Sequence, residues 1–172
     1  MKHIGGKFGK VSLEQFTKDT KKIMPLCSEG YIEKIYNRIT LPKRSTSDSA
    51  GYDFVSPFNI ELNVGDTILI PTAIRVKIEE GWVLFIAPRS SLGFKYRMQL
   101  DNTIGVIDGD YINSDNQGHI MLKITNDSKD NKIMNIEAGD RIAQGIFTIY
   151  GITEDDDVDT ERNGGFGSTG SK

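Results

Sequence analysis

The chain has 172 residues, a formal net charge of -3 at pH 7 and a sequence pI near 5.4. This length suits one domain with a single core and excludes a multidomain enzyme with separate cofactor and substrate lobes, and the acidic balance argues against a nucleic-acid partner. One cysteine and two histidines exclude an internal disulfide and a usual zinc site, and the apolar stretches are too short to span a membrane.

The first forty residues predict a helical extension. Residues 1–10 lack the apolar core of a signal peptide, which favours a cytoplasmic protein, and their glycines predict a flexible start. Ser12 and Gln15 have the spacing of a capping box and predict a helix to about Lys22. The apolar residues of a second stretch share one helical face: Tyr31, Ile32, Ile35, Tyr36 and Ile39. We interpret residues 1–40 as a helical extension packed on the domain, with a partner-binding hairpin as the alternative.

From Leu41 the apolar pattern has a period of two, which predicts a β domain over residues 41–152. Apolar and polar side chains alternate in 74–78 and in 120–124, so each of these strands has one buried face. Residues 82–87 are apolar on both faces and predict a central strand. The turn signals between these runs are typical of a sandwich, jelly roll or small barrel, and the absence of βαβ alternation excludes a Rossmann fold.

The residues suited to chemistry are concentrated in five short segments at the edges of predicted strands. Because histidine and cysteine are nearly absent, the candidates are Asp, Glu, Ser, Tyr, Arg and Gly. The segments are 50–54 (AGYDF), 88–93 (PRSSLG), 105–111 (GVIDGDY), 139–144 (GDRIAQ) and 162–170 (RNGGFGSTG). Taken singly they are ambiguous: Asp53 also suits a buried structural carboxylate, and Arg89 with Ser90 suits either a phosphate site or an ordinary turn.

The last of these segments combines features that suit a nucleotide. Its glycines allow backbone N–H groups to form an anion-binding nest, and Ser168 and Thr169 add hydroxyl groups. Arg162 adds a fixed charge, and Phe166 offers a ring on which a base can stack. We interpret residues 153–172 as an acidic, solvated tether followed by a lid that closes over substrate and excludes water.

In this order and at these intervals, the five segments resemble the five motifs of the homotrimeric deoxyuridine triphosphatase (dUTPase) family. The resemblance covers about three quarters of the chain, from residue 41 to 172. It implies an all-β fold, a jelly-roll-like β-barrel that carries the short N-terminal helical extension and a flexible Gly-rich C-terminal lid. It also implies hydrolysis of dUTP to dUMP and pyrophosphate with Mg²⁺, which limits uracil in DNA and supplies dUMP for dTMP synthesis. The family implies a homotrimer with sites shared between subunits, so that a monomer is inactive, and neither a nucleic acid nor a membrane as partner.

The resemblance also implies roles for individual residues of the third segment. Asp108 matches the catalytic aspartate, which activates the water that attacks the α-phosphorus in line. Tyr111 matches the tyrosine beneath the deoxyribose, whose ring leaves no room for a 2′-hydroxyl. The uracil would be read through backbone groups and one side chain, at Gly105, Val106, Ile107 and Asn102.

Other matching residues would bind the phosphates or belong to the lid: Arg89, Ser90, Ser91, Gln144, Arg162, Phe166, Gly167 and Ser168. Among them, Arg162 would clamp the terminal phosphates and Phe166 would stack on uracil. Asp53 would lie near the water shell of Mg²⁺. The phosphates would hold the ion itself, so no direct protein ligand is expected.

The sequence departs from the family pattern at three places. The usual Arg-Gly after Tyr111 is replaced by a longer turn at 112–118, which we interpret as a solvated loop, with a partner site as the alternative. Ser91 replaces the more common glycine, and Arg162 is one residue closer to Phe166 than in the commonest spacing.

Two other functions are compatible with parts of this pattern. A dCTP deaminase has a related fold and a similar second motif, but the lid segment and Tyr111 argue against it. A regulator that binds a protein partner without turnover would have no need of Asp108, Tyr111 and the lid together, although a second binding role could coexist with catalysis.

Overall fold

The structure is a computed structural model that describes residues 3–158. The predicted lid residues Arg162, Phe166, Gly167 and Ser168 lie outside the described residues. The described part is mostly β-strand with few helices. Its elements in chain order are β1 (Gly6–Lys10), α1 (Leu13–Ile23), α2 (Glu29–Arg38), β2 (Lys43–Arg44), β3 (Tyr52–Val55), β4 (Ile60–Leu62), β5 (Thr67–Pro71), β6 (Ile74–Ile78), β7 (Trp82–Pro88), α3 (Ser90–Tyr96), β8 (Gln99–Leu100), β9 (Gly105–Ile107), a 3₁₀ helix (Gly109–Asn113), β10 (Met121–Thr125), β11 (Met134–Ile136) and β12 (Arg141–Ile149).

The structure has helices at both positions where the sequence predicts them. The N-terminus of α1 is capped by Ser12, whose Oγ accepts a hydrogen bond from the backbone N–H of Gln15 at 3.1 Å. The N-terminus of α2 is capped in the same way by Ser28. Phe16 on α1 and Ile32 on α2 are fully buried in the core that the strands also line, so the helices pack on the β domain.

The segment predicted to be a flexible start is a strand, and that prediction is wrong. β1 pairs antiparallel with β6, with Gly6 opposite Ile78. The glycine permits close approach of the two chains, because a Cβ on Gly6 would lie 2.5 Å from the backbone oxygen of Lys77. The ring of Phe8 packs edge-on against Phe54, at 5.8 Å between centroids. β1 therefore joins the first residues of the chain to the β domain.

The strands form four separate sheets. Five strands make the largest sheet in the order β2-β3-β12-β7-β9, three form β5-β10-β8, and two pairs form β1-β6 and β11-β4. β7 is an interior strand with partners on both sides, as its apolar sequence predicts. Within residues 3–158 no sheet closes into a barrel, so the predicted β-barrel is wrong. Closure requires a partner on both sides of every strand, whereas β2 and β9 remain edges of the largest sheet.

One hydrophobic core joins the helices and the sheets. It extends from Phe16 in α1 to Leu84 in β7 and Ile124 in β10, all of them fully buried.

No helix in residues 3–158 is long and apolar enough to cross a membrane.

Candidate active site

A cavity of about 190 Å³ opens beside the edge strand β9. Its lining comes from β7, β8, β9, β10 and the segments between them, and comprises Ile86, Leu100, Asn102, Gly105, Val106, Ile107, Tyr111, Ile120, Met121, Leu122 and Lys123. All five residues predicted to surround the base and the sugar are among them: Asn102, Gly105, Val106, Ile107 and Tyr111. The fold thus brings this predicted group together around one space.

The backbone of β9 forms one wall of the cavity. One side of β9 pairs with β7, with Gly105 opposite Ile86, and no strand in the described part of the chain pairs with its other side. The backbone groups on that side are therefore available to a ligand. Gly105 suits this place because a Cβ would lie only 3.1 Å from the Cβ of Ile86. A larger side chain there would crowd the wall.

Tyr111 is fixed at both its ring and its hydroxyl. The residue is buried in the 3₁₀ helix that follows β9. Its hydroxyl donates a hydrogen bond to the backbone oxygen of His119 at 2.9 Å and accepts one from Asn116 Nδ2 at 2.9 Å. A phenol with both a donor and an acceptor partner has a defined ring orientation in the cavity wall.

Asp108 lies between β9 and the 3₁₀ helix, two segments that line this cavity. It directly follows β9 in extended conformation (φ -82°, ψ 161°), and the 3₁₀ helix that contains Tyr111 begins at the next residue. The residue is exposed, so water can reach its carboxylate. A carboxylate at this position has the access that a general base needs.

Arg89, one of the residues predicted to bind the phosphates, belongs to a cluster around the buried carboxylate of Asp53. Arg89 Nη1 donates to Asp53 Oδ1 at 2.5 Å, and Ser45 Oγ donates to Asp53 Oδ2 at 2.7 Å. Arg141 Nη1 lies 3.4 Å from the same Oδ2 and donates to Ser45 Oγ at 3.0 Å. Two guanidinium groups thus meet one carboxylate, which leaves a net positive charge.

Gln144 connects this cluster to the largest sheet. On β12 it lies opposite Asp53 of β3 and Ala87 of β7, and its Nε2 donates to the backbone oxygen of Pro88 at 3.3 Å. Gly51 leaves room for this side chain, because a Cβ there would lie 2.6 Å from Gln144 Oε1. Gln144 is therefore held next to the backbone that leads to Arg89.

Ser90 and Ser91 begin α3 directly after Arg89, and both are exposed. Neither they nor Asp53, Arg89 and Gln144 line the cavity. Within one chain, the described residues therefore form two groups, one around the cavity and one around Asp53.

The dUTPase family matches residues 37–170. The chain belongs to the dUTPase family. A deoxyuridine 5′-triphosphate nucleotidohydrolase of Lactococcus lactis is 40% identical over 136 residues, which cover 77% of this chain and 89% of that protein. The Escherichia coli nucleotidohydrolase is 36% identical over 145 residues, which cover 80% and 91% of the two chains. The crystal structure of the Streptococcus mutans dUTPase is also similar, with a TM-score of 0.59, 37% identity and coverage of 66% and 88%.

The sequence analysis missed two members of the cluster around Asp53 in this dUTPase, Arg141 and Ser45. Arg141 lies in the fourth segment, but only its contact with Asp53 indicates a part in the site. Ser45 lies outside all five segments. The contacts of Arg141 with Asp53 and Ser45 join residues that are distant in the chain, and the contact of Ser45 with Asp53, eight positions away, matches no sequence motif.

The described residues contain no cage of protein ligands for a metal. No group of three or more His, Cys, Asp or Glu side chains in 3–158 is arranged to hold an ion. Both oxygens of Asp53 accept hydrogen bonds from protein groups. The contact of Asp53 with the water shell of a divalent ion stays a prediction.

The lengthened turn at 112–118 is packed against the protein, so the prediction of a solvated loop is wrong. Ser114 is buried, and its Oγ donates to the backbone oxygen of Tyr111 at 2.7 Å. Gln117 Oε1 accepts from the backbone N–H of Ser12, and Gln117 Nε2 donates to Ser12 Oγ. Ser114 and Gln117 thus hold the turn to the protein, while Asn113 and Asp115 are exposed.

Proposed function

We propose that this dUTPase hydrolyses dUTP to dUMP and pyrophosphate by attack of an Asp108-activated water on the α-phosphorus. The observation that carries the proposal is the cavity that unites the five predicted base and sugar residues next to Asp108. Similar proteins are named deoxyuridine 5′-triphosphate nucleotidohydrolases. A variant dUTPase of Staphylococcus bacteriophage 80alpha, 25% identical with a TM-score of 0.57, has been solved with dUpNHpp.

Uracil would enter the cavity beside β9. The backbone of Gly105, Val106 and Ile107 offers donors and acceptors along an unpaired strand edge, and Asn102 adds an amide. Cytosine reverses one donor and one acceptor of uracil, so that a buried polar group would remain unpaired. Such mismatches discriminate by on the order of 10⁴.

The deoxyribose would lie against the ring of Tyr111. A buried ring whose hydroxyl has two partners cannot retreat easily from a 2′-hydroxyl group. Crowding would therefore disfavour UTP relative to dUTP.

The chemical step would begin with proton transfer from water to Asp108. The water oxygen bonds to the α-phosphorus as the bond from this phosphorus to the bridging oxygen breaks, and pyrophosphate leaves in line with the attack. The carboxylate carries the proton away after attack. Asp108 needs no metal contact for this role.

Arg89, Ser90, Ser91 and Gln144 would hold the phosphate chain. Asp53 would orient Arg89, and Arg141 adds a second positive charge to the same cluster. Mg²⁺ bound to the phosphate oxygens would offset the charge that develops on pyrophosphate. Each Asp53 oxygen accepts one hydrogen bond, from Arg89 or from Ser45, and a carboxylate oxygen has a second lone pair. Asp53 would therefore orient Arg89 and also accept from the water shell of this ion.

The complete site would be shared between subunits of a homotrimer. Within one chain, the cavity and the Asp53 cluster are separate groups of residues, and a partner subunit would bring the second group to the first. Exposed apolar side chains near the end of β12 support subunit contact, with Ile149 71% and Ile152 74% exposed. The jelly-roll arrangement, the helical extension and the lid of residues 162–170 belong to this same proposal. With Arg162, Phe166, Gly167 and Ser168 the lid would close each site.

The test is incubation of the purified protein with Mg²⁺ and dUTP, dCTP or UTP in turn, with identification of the products. We expect pyrophosphate and dUMP from dUTP, with UTP hydrolysed on the order of 10²-fold less efficiently and dCTP less efficiently still. Release of ammonia from dCTP would show a deaminase instead. Tight binding of a protein partner with no turnover of any nucleotide would show a regulator.

A further inference from the structure

A buried pair joins the N-terminal helix to the β domain. Asp19 of α1 and His119 before β10 are 3% and 0% exposed, and Asp19 Oδ2 lies 2.7 Å from His119 Nδ1. The backbone N–H of Ala73 donates to His119 Nε2 at 2.8 Å. Because an amide N–H can only donate, Nε2 is an acceptor and the ring proton is on Nδ1, where it donates to Asp19. The imidazole is therefore neutral and has one defined orientation.

Both oxygens of the Asp19 carboxylate accept hydrogen bonds from neighbouring side chains. Besides His119, it accepts hydrogen bonds from Gln15 Nε2 and Lys22 Nζ, each at 2.7 Å. Burial raises the pKa of Asp19, but the hydrogen bonds from His119, Lys22 and Gln15 together lower it well below its ordinary value. Asp19 thus remains a charged acceptor that holds the His119 ring in place.

The backbone of His119 leads directly to the cavity. Its carbonyl oxygen accepts a hydrogen bond from the Tyr111 hydroxyl at 2.9 Å and another from Asn116 Nδ2 at 3.2 Å. Asn116 Nδ2 also donates to the Tyr111 hydroxyl at 2.9 Å. The position of the tyrosine therefore depends on both His119 and Asn116.

The contacts of Tyr111 thus involve two segments that the family motifs do not contain. Asn116 belongs to the lengthened turn, and Asp19 lies before residue 37, where the family match begins. The two segments also contact each other, because Gln117 and the N-cap residue Ser12 exchange hydrogen bonds of 2.9 and 3.0 Å. The turn and the start of α1 form one hydrogen-bonded unit.

We infer that α1 and the 112–118 turn position Tyr111 and so set the discrimination of this site against a 2′-hydroxyl. The inference rests on the proposed function. A pocket wall that only crowds an added hydroxyl discriminates weakly, on the order of 10², and still less if the wall can move. Asp19, Asn116 and His119 are positioning residues that keep this wall from moving.

The test compares kcat and KM for dUTP and for UTP in the wild type, Asn116→Ala and Asp19→Asn. The first variant removes one donor to the Tyr111 hydroxyl. Asp19→Asn replaces a carboxylate that accepts from three donors by an amide that has only one oxygen to accept them. In both we expect the ratio of kcat/KM for dUTP to that for UTP to fall about tenfold, the effect of losing one buried hydrogen bond.

The matched control is Ile32→Val, which thins the packing of α2 and removes none of the hydrogen bonds of Asp19, His119 or Tyr111. It should lower thermal stability and leave the ratio unchanged. Tyr111→Phe should lower the ratio by itself, and adding Asn116→Ala to it should lower the ratio by less than Asn116→Ala lowers it in the wild type, because both changes act on the same hydroxyl. Should Asp19→Asn fail to fold, Asn116→Ala and this double variant carry the test.

A ratio within about twofold of the wild type in folded Asn116→Ala, where a lost hydrogen bond predicts about tenfold, overturns the inference. The inference is also overturned if the losses of discrimination from Tyr111→Phe and Asn116→Ala add fully in the double variant. Binding of dUMP and UMP at equilibrium gives the same discrimination without turnover. A wild type that binds dUMP but does not hydrolyse dUTP would thus count against the proposed function alone.

Discussion

Asp53 on β3 and Arg89 at the end of β7 form an ion pair that fixes the direction of the arginine side chain. Asp53 is 8% exposed, whereas the side chain of Arg89 is 27% exposed. The carboxylate is thus the buried anchor and the guanidinium the accessible group. This arrangement suits an arginine that must meet a phosphate in one orientation.

We expect Asp53→Asn to raise KM for dUTP about tenfold with a smaller change in kcat, since one charged hydrogen bond to Arg89 is lost. Steady-state kinetics would measure both constants. The control is Asp127→Asn, which breaks the exposed pair of Asp127 with Arg97 and should leave both constants unchanged. An unchanged KM in Asp53→Asn would mean that Arg89 needs no orienting partner.

Replacement of the proposed base is the most direct test of the chemistry. Asp108→Asn should lower kcat about 10²- to 10⁴-fold, because the amide cannot take a proton from water. Binding of dUMP, measured by calorimetry, should change little. Asp110→Asn, two residues further along the same 3₁₀ segment, is the matched control and should retain turnover. Normal turnover in Asp108→Asn would show that another group activates the water.

Mixed trimers would test whether the site is shared. Asp108→Asn and Arg89→Ala are each expected to be inactive alone. If the cavity and the Asp53 cluster of one site come from different subunits, trimers reassembled from an equal mixture should recover about a quarter of wild-type turnover, because half of the cavities and half of the clusters are intact. A site contained within one subunit predicts no recovery.

The close approach of β1 and β6 predicts that alanine destabilises the protein at Gly6 but not at Gly9. Gly6→Ala should lower the free energy of unfolding by about 1–3 kcal/mol, because its Cβ would meet the backbone oxygen of Lys77 at 2.5 Å. Gly9→Ala on the same strand is the control, since the nearest atom to its Cβ is Arg75 Cγ at 3.8 Å. Denaturant titration measures both. Equal stability of the two variants would contradict the pairing of Gly6 with Ile78.

Asp19 predicts a pH dependence of stability. Its pKa in the folded protein is below the ordinary value of 3.8, so it contributes stability at pH values above 3.8 that is lost as the pH falls through the folded pKa. The difference in unfolding free energy between the wild type and Asp19→Asn should therefore be constant near neutral pH and shrink below pH 3.8. Chemical denaturation at several pH values measures it. A difference that grows with acid would contradict this sign.

The parts that could be predicted from the sequence depend on neighbouring residues. Ser12 and Gln15 are three positions apart and define a helix start, and the alternation in β6 defines a strand with one buried face. Four of the five predicted cavity residues belong to the contiguous segment 105–111, and the family resemblance indicates the fifth, Asn102. The contact of Asp19 with His119 spans 100 positions, and neither residue has neighbours that indicate the other. β1 could not be predicted because Gly6 serves close packing, which a sequence pattern does not separate from flexibility.

The N-terminal strand also has a protective consequence. β6 has β1 as its strand partner in a two-stranded sheet. A chain shortened to the segment from residue 37 onward would leave the N–H and C=O groups along that side of β6 unsatisfied, and an open strand edge invites strands from other molecules. β1 therefore covers a strand edge of the β domain that a chain without the N-terminal segment would expose.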